Sequence, residues 1–277
     1  MAFDYDSIKN RHFEDVEQTY TVRDSIIYAL GLGFGHDPLD ESQLPYLFEE
    51  ADFAAVPTFS VVLASPGFWA REPDTGIVWQ KVLHGEQKIV IHKTLPPAAT
   101  VIGKTSVSEV LDKGADKGAL IYVDRDIYDK ANGDHLATLT STTFARGNGG
   151  FGGASGPQPQ PHVLPEREPD TVCDLPSHAS AALLYRLSGT SIPCILIRLS
   201  PKVPVSRRPF CMDCAAWVWL GTLYYEPVAI MMRTGSSPFN CGFQAPSIQG
   251  KLSVRRCGKM AMLFLSGPGL LSAMLLF

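Results

Sequence analysis

Cysteine is missing from the first 172 residues of this 277-residue chain, and histidine from everything after His178. The first absence excludes a disulfide framework or a thiol nucleophile from the front half. The second leaves the back third without the side chain that most often serves as a general base. Acidic residues run out in the same place: beyond Gly189 only Asp213 and Glu226 remain, against nine Lys and Arg. The net charge of -4 therefore averages an acidic front with a basic tail. Such asymmetry is normally the mark of an interaction tail. The start carries Asp4 and Asp6 rather than a basic stretch followed by an apolar run, so an export signal is not expected and a cytoplasmic location is.

What is present suits a folded domain. Apolar residues make up 45% of the chain, enough for the core of one or two domains. Thr21-Val22-Arg23-Asp24 places a polar cap before the apolar run Ser25-Ile26-Ile27-Tyr28-Ala29-Leu30, and Gly31 closes it, which predicts a short helix. Residues 43–53 are acidic and amphipathic. Residues 57–64 read as a buried apolar segment, ended by Ser65-Pro66-Gly67. Strand-like runs follow at 88–91, 101–110, 119–126 and, after the turn signal Asn132-Gly133, 135–145. Successive strands on short turns predict an antiparallel sheet, and a helix laid on it gives an α+β layer. Residues 147–161 are rich in Gly and Pro and read as a linker without a packing face. No short internal repeat is visible, although two related halves on such a linker would give a double architecture.

Beyond the linker comes a motif that breaks off. Tyr185-Arg186-Leu187-Ser188-Gly189 resembles the opening of the signature of the hydratase 2 (MaoC-like) enoyl-CoA hydratases. That signature continues D-x-N-P-L-H, whereas here Thr190-Ser191-Ile192-Pro193-Cys194-Ile195 follows. Joining the third base of each codon to the first two of the next lets 190–198 be read as D-F-N-P-L-H-I-D-P. In the same shifted frame, 205–214 reads G-F-P-x-P-I-L-H-G-L and 247–261 reads V-Y-P-G-E-T-I-R-T-E-M-W-K-D-G. These are the next landmarks of that family, in order. The expectation is that residues 190–277 are an out-of-frame reading of the catalytic half, which also accounts for the shift in composition.

The resemblance extends forward through Tyr28-Ala29-Leu30-Gly31-Leu32-Gly33, Asp37-Pro38-Leu39, Val56-Pro57-Thr58-Phe59 and Leu83-His84-Gly85-Glu86-Gln87. It implies a hot-dog fold, doubled in the parent family, with the second hot-dog not formed here. The corresponding division is a hot-dog domain at 1–147, a linker at 148–172, the start of the catalytic hot-dog at 173–189 and the out-of-frame tail at 190–277. The implied reaction adds water to a trans-2-enoyl-CoA to give a (3R)-3-hydroxyacyl-CoA, or reverses it. In it an Asp and a His pass the protons, and a backbone N-H polarises the thioester carbonyl. No catalytic residue of that set is present as printed. The amino-terminal half instead shapes the acyl-chain space, which implicates Pro57, Phe59, His84, Gly85, Glu86, Gln87 and Tyr185 in substrate binding. Core packing for Phe59 and Tyr185 and a hydrogen-bonded structural role for His84 are the alternatives, with His84 as a second catalytic base a further one. No metal or redox cofactor is implied, since coenzyme A arrives with the substrate. The implied partners are an acyl-CoA thioester and a second copy in a homodimer, with no nucleic acid. Location follows the family too: the peroxisome in a eukaryote, where a carboxyl-terminal signal would be lost with the frame.

Other patterns carry less. Cys211-Met212-Asp213-Cys214 has zinc spacing but no second pair and no later His. Gly149-Gly150-Phe151-Gly152-Gly153 lacks the strand and helix that a phosphate loop needs. The basic stretch 251–259 fits no nucleic-acid module. Residues 260–277 have the length of a membrane segment, and taken literally they offer a second reading, a non-catalytic acyl-thioester-binding or partner subunit with a hydrophobic tail. Gly267-Pro268-Gly269 would interrupt a helix there, so a membrane partner is not expected.

Overall fold

The computed structural model describes residues 3–157, 181–188, 252–257, 260–267 and 270–276. Its frame is an antiparallel sheet whose front-half strands are β1 (Val16–Tyr20), β2 (Val82–Ile91), β3 (Ala99–Asp112), β4 (Ala119–Asp129) and β5 (His135–Ala145), in the order β1-β3-β4-β5-β2. Alternation sets the faces. Along β4, Ala119, Ile121, Val123 and Ile127 are buried, and Leu120, Tyr122 and Tyr128 next to them look outward. β5 coincides with the expected run, β3 and β4 extend theirs by two or three residues at an end, and β2 begins six residues before its expected run. The edge strand β1 was not expected, because Glu17, Gln18 and Thr19 give it no apolar stripe.

Two helices precede and cross the sheet, α1 (Tyr5–Lys9) and α2 (Val22–Leu32). At the start of α2 the Asp24 N-H donates to Thr21 Oγ1, and the Asp24 carboxylate accepts the Thr21 N-H at 2.8 Å, so both otherwise unpaired donors are served. The end differs from expectation. Gly33 at φ 101° closes the helix, and Gly31 lies inside it. Ser25, Tyr28, Ala29 and Leu32 recur at helical spacing on the buried side, against Val101, Ile127, Ala137 and Leu139 of the sheet. The amphipathic stretch 43–53 holds a 3-10 helix, Glu41–Tyr46, followed by turns. Pro57–Val62 is a second 3-10 helix and is buried as expected.

The glycine-rich stretch after β5 is more anchored than a linker without a packing face would be. The Asp112 carboxylate accepts backbone N-H groups from Gly114 (2.8 Å), Gly150 (2.7 Å) and Gly152 (2.7 Å). Phe151 packs against Phe3 and Tyr5. Residues 147–161 read as a linker from their Gly and Pro content, and Phe151 supplies a packing contact that composition conceals.

Of the remainder, α3 (Ala181–Leu187) lies on α2, and three strands, β6 (Leu252–Cys257), β7 (Met260–Gly267) and β8 (Leu270–Leu276), continue the sheet beyond β2 in the order β8-β7-β6. The membrane-length run at 260–277 thus divides into two strands rather than one spanning helix. Among the described residues no helix is long and apolar enough to cross a membrane. Cys211, Cys214 and most of the shifted-frame landmarks lie outside the described residues.

Candidate functional site

Phe59 and Tyr185, far apart in sequence, share one apolar cluster, and Pro57 stands two residues before Phe59 in the same 3-10 helix. Pro57 opens the buried 3-10 helix and presets its first turn. Phe59 is 2% exposed and has Tyr20 edge-on at 5.2 Å and Tyr28 tilted at 5.0 Å. Tyr28 in turn faces Tyr185 at 6.0 Å. The phenols are tied rather than loose: Tyr28 Oη donates to Thr58 Oγ1 at 3.0 Å and Tyr20 Oη to the Pro96 carbonyl at 2.8 Å. Burial pushes both phenols above their usual range, so both remain neutral donors. Together they form an aromatic wall between α2 and the sheet.

The second part of the expected site lies on β2, and a bulge decides its faces. The register slips between His84 and Glu86, so Gly85 is the extra residue. His84 pairs with Thr143 and Gln87 with Ser141, both on the core side, whereas Glu86 is turned outward, where its carboxylate accepts from Thr142 Oγ1 at 3.1 Å. Glu86 therefore lines the outer face and stands apart from Phe59. The His84 Nε2 is shielded from solvent, and burial pushes the imidazole down to about 4. At neutral pH it is an uncharged ring held within the fold. That fits a structural histidine better than a second catalytic base tuned to the operating pH.

Two features were missed by reading the residues alone. The first is Arg125, a cation on the core face of β4. One guanidinium N-H donates to the Val61 carbonyl, and the group lies within electrostatic reach of Tyr185. Burial pushes it down to about 10, still charged at neutral pH. It tethers the end of the 3-10 helix from below. The second is Gly31, where a Cβ would lie 3.2 Å from the Tyr185 backbone nitrogen. The two helices cross here because neither a side chain on Gly31 nor a larger spacing intervenes. Both helices end on a related string, Tyr28-Ala29-Leu30-Gly31 and Tyr185-Arg186-Leu187-Ser188.

Among solved structures, the fold is similar to a MaoC-like dehydratase from Phytophthora capsici, with a TM-score of 0.65 and 22% identity, covering 97% of this chain and 95% of that one. This defines the class, a MaoC-like hot-dog fold. Residues 18–147 match the family described as MFE-2 hydratase 2 N-terminal domain. The enoyl-CoA hydratase ChsH3 of Mycobacterium tuberculosis is 34% identical over 199 residues, 70% of this chain and 67% of that protein. The peroxisomal enoyl-CoA hydratase 2 of Arabidopsis thaliana is 33% identical over 213 residues, covering 69% and 66%. The chain belongs to the hydratase 2 family of MaoC-like enoyl-CoA hydratases. It spans about two thirds of the length of the curated relatives it matches.

Proposed function

We propose that this chain descends from an (R)-specific enoyl-CoA hydratase, a hydro-lyase interconverting trans-2-enoyl-CoA and (3R)-3-hydroxyacyl-CoA in fatty acyl-CoA metabolism, and that as printed it is inactive. One observation carries the reading. The motif opening Tyr185–Ser188 is seated on α2 beside the aromatic wall, yet the Asp and His that should follow Gly189 are absent from the sequence. The front half supplies the acyl-chain space, with Pro57, Phe59 and Tyr185 as its wall and the His84–Gly85 bulge as a supporting turn. An Asp and His at the end of α3 would face that space and pass the protons of one water to the two carbons of the double bond. A backbone N-H would hold the charge developing on the thioester oxygen. No resident metal or redox cofactor enters this scheme, and coenzyme A comes with the substrate. The family includes a peroxisomal member, which supports the peroxisome as the site of action in a eukaryote and the cytoplasm otherwise. A homodimer is the expected assembly.

A second reading is favoured by β8, whose backbone pairs with Glu86–Ile89 of β2. A tail that closes a sheet edge has a use of its own, and the chain would then be a non-catalytic acyl-thioester-binding or partner subunit. Hydration of crotonyl-CoA and of a longer enoyl-CoA separates the two when the printed chain is compared with one restored by a single-base correction after Gly189. Activity only in the restored protein supports the hydratase reading. Activity in the printed chain overturns the site assignment.

A further inference from the structure

Between Arg23 and Arg71 the chain has no Lys or Arg, while Asp37, Asp40, Glu41, Glu49, Glu50 and Asp52 crowd into residues 37–52. None of these six forms an ion pair among the described residues. Local bonds fix the segment as a shelf at the end of α2. The Gly35 N-H donates to Gln43 Oε1 at 2.6 Å, and Gln43 Nε2 donates to Asp40 Oδ2 at 2.7 Å, so the turn after α2 is tied to the 3-10 helix Glu41–Tyr46. The Phe48 N-H then donates to the Leu44 carbonyl at 2.9 Å, and the Ala54 N-H to the Pro45 carbonyl at 2.8 Å. Underneath, Phe34 and Tyr46 pack edge to face at 5.5 Å. Large apolar side chains nevertheless remain on the solvent side: Leu30 is 42% exposed, Leu44 and Phe48 are 44% exposed, and Leu39 is 86% exposed. A Cβ on Gly35 would lie 3.1 Å from Leu47 Cδ1 and 3.8 Å from Leu30 Cδ2, so Leu47 bridges Leu30 to its sequence neighbours Leu44 and Phe48. The result is an apolar patch with carboxylates around it.

Charge decides what can cover such a patch. Unpaired carboxylates repel nucleic acid and an anionic lipid surface. A second copy docking about a two-fold axis would bring the same patch against itself, carboxylate facing carboxylate. A free cation would gain nothing from the leucines and the phenylalanine. A helix with one apolar face flanked by Lys and Arg satisfies both parts at once, since the apolar face leaves water and the cations meet the acidic rim. We propose that this shelf docks a basic amphipathic helix of another protein, with its apolar face on Leu39, Leu44 and Phe48 and its cations against Glu41, Glu49 and Glu50. The surface uses none of Pro57, Phe59 and Tyr185, so it stands apart from the acyl-chain reading.

The test uses the full 277-residue chain and a fluorescein-labelled amphipathic helical peptide of leucine and lysine, followed by fluorescence anisotropy. The peptide should bind, and Glu41→Lys/Glu50→Lys should weaken it by about tenfold or more. The control Glu14→Lys/Asp116→Lys changes net charge equally elsewhere on the surface and should leave affinity within about twofold. Leu39→Ser/Phe48→Ser should also cost about tenfold. If that double variant does not fold, Leu39→Ser alone, at a position 86% exposed, should cost about threefold. A peptide of the same composition, shuffled to remove its apolar face, and an amphipathic peptide of leucine and glutamate should both bind far more weakly. Absence of binding, equal loss in the two charge variants, or equal binding of either control peptide overturns the proposal. So does a dimer of the parent chain that Leu39→Ser/Phe48→Ser dissociates, because it would assign the shelf to a second copy.

Discussion

His84 is the residue whose burial has the plainest consequence in solution. An ordinary histidine titrates near about 6.5, and burial holds this one at about 4. Between those values the unfolded chain takes up a proton that the folded chain refuses. Its contribution is therefore complete above about pH 6.5 and is lost as pH falls toward 4, a loss of about 3 kcal/mol across the window. Urea unfolding at pH 7 and pH 4.5 should show that loss in the parent and a much smaller one in His84→Asn. Asp112 acts in the same direction at lower pH. Its carboxyl is held below the usual range first by the Gly150 N-H, with the amides of Gly114 and Gly152 adding to it, so its stabilisation is present above the ordinary carboxylate range and disappears as pH drops through it. Asp112→Ala should leave those amides without their acceptor, and their hydrogen exchange should rise selectively while β4 and β5 stay protected. Phe59, buried between two tyrosines, is a packing residue whatever else it does. Phe59→Ala should cost about 3–5 kcal/mol in chemical unfolding, and a cost below about 1 kcal/mol would show the wall to be loosely filled.

At the scale of elements, the contact of α2 with α3 is set by one missing side chain. Gly31→Val places a branched carbon against the Tyr185 backbone and should push α3 away at a cost of about 1–3 kcal/mol. Quenching and near-ultraviolet dichroism would report Tyr185 becoming exposed; an unchanged signal would mean that the helices do not depend on that approach. These elements were unequally legible in the sequence. The Thr21–Asp24 cap and the alternation of β4 and β5 are local, so both could be read directly. β1 could not, because an edge strand facing solvent needs no apolar stripe. The start of β2 was hidden because the bulge at Gly85 breaks its alternation; Glu86 was grouped with the site through the family motif Leu83–Gln87, which does not show that the bulge turns it outward. Arg125 was invisible: nothing in the string 119–129 says that this cation, and not its neighbours, lies under the 3-10 helix. Pro57, Phe59 and Tyr185 were found through resemblance to a family. Spacing alone could not have joined Tyr185 to the other two.

At the scale of the whole molecule, the chain changes character at Gly189. The front half has a capped helix, an anchored glycine turn and two apolar clusters on one sheet, features consistent with a sequence selected for this fold. The composition beyond Gly189, nearly free of acids and wholly free of histidine, fits an out-of-frame reading. Removing residues 190–277 should therefore raise soluble yield, even though the Glu86–Ile89 edge of β2 loses its β8 partner, because Glu86 and Lys88 leave charge on that edge. Unchanged or lower yield would favour a tail with a role of its own. The most direct measurement is the nucleotide sequence of the codons for Gly189 to Cys194. The account predicts GGG for Gly189 and TGC for Cys194, since only these place Asp and His in the shifted frame. A Gly189 codon ending in any other base, or TGT at Cys194, would remove one of the two and contradict it.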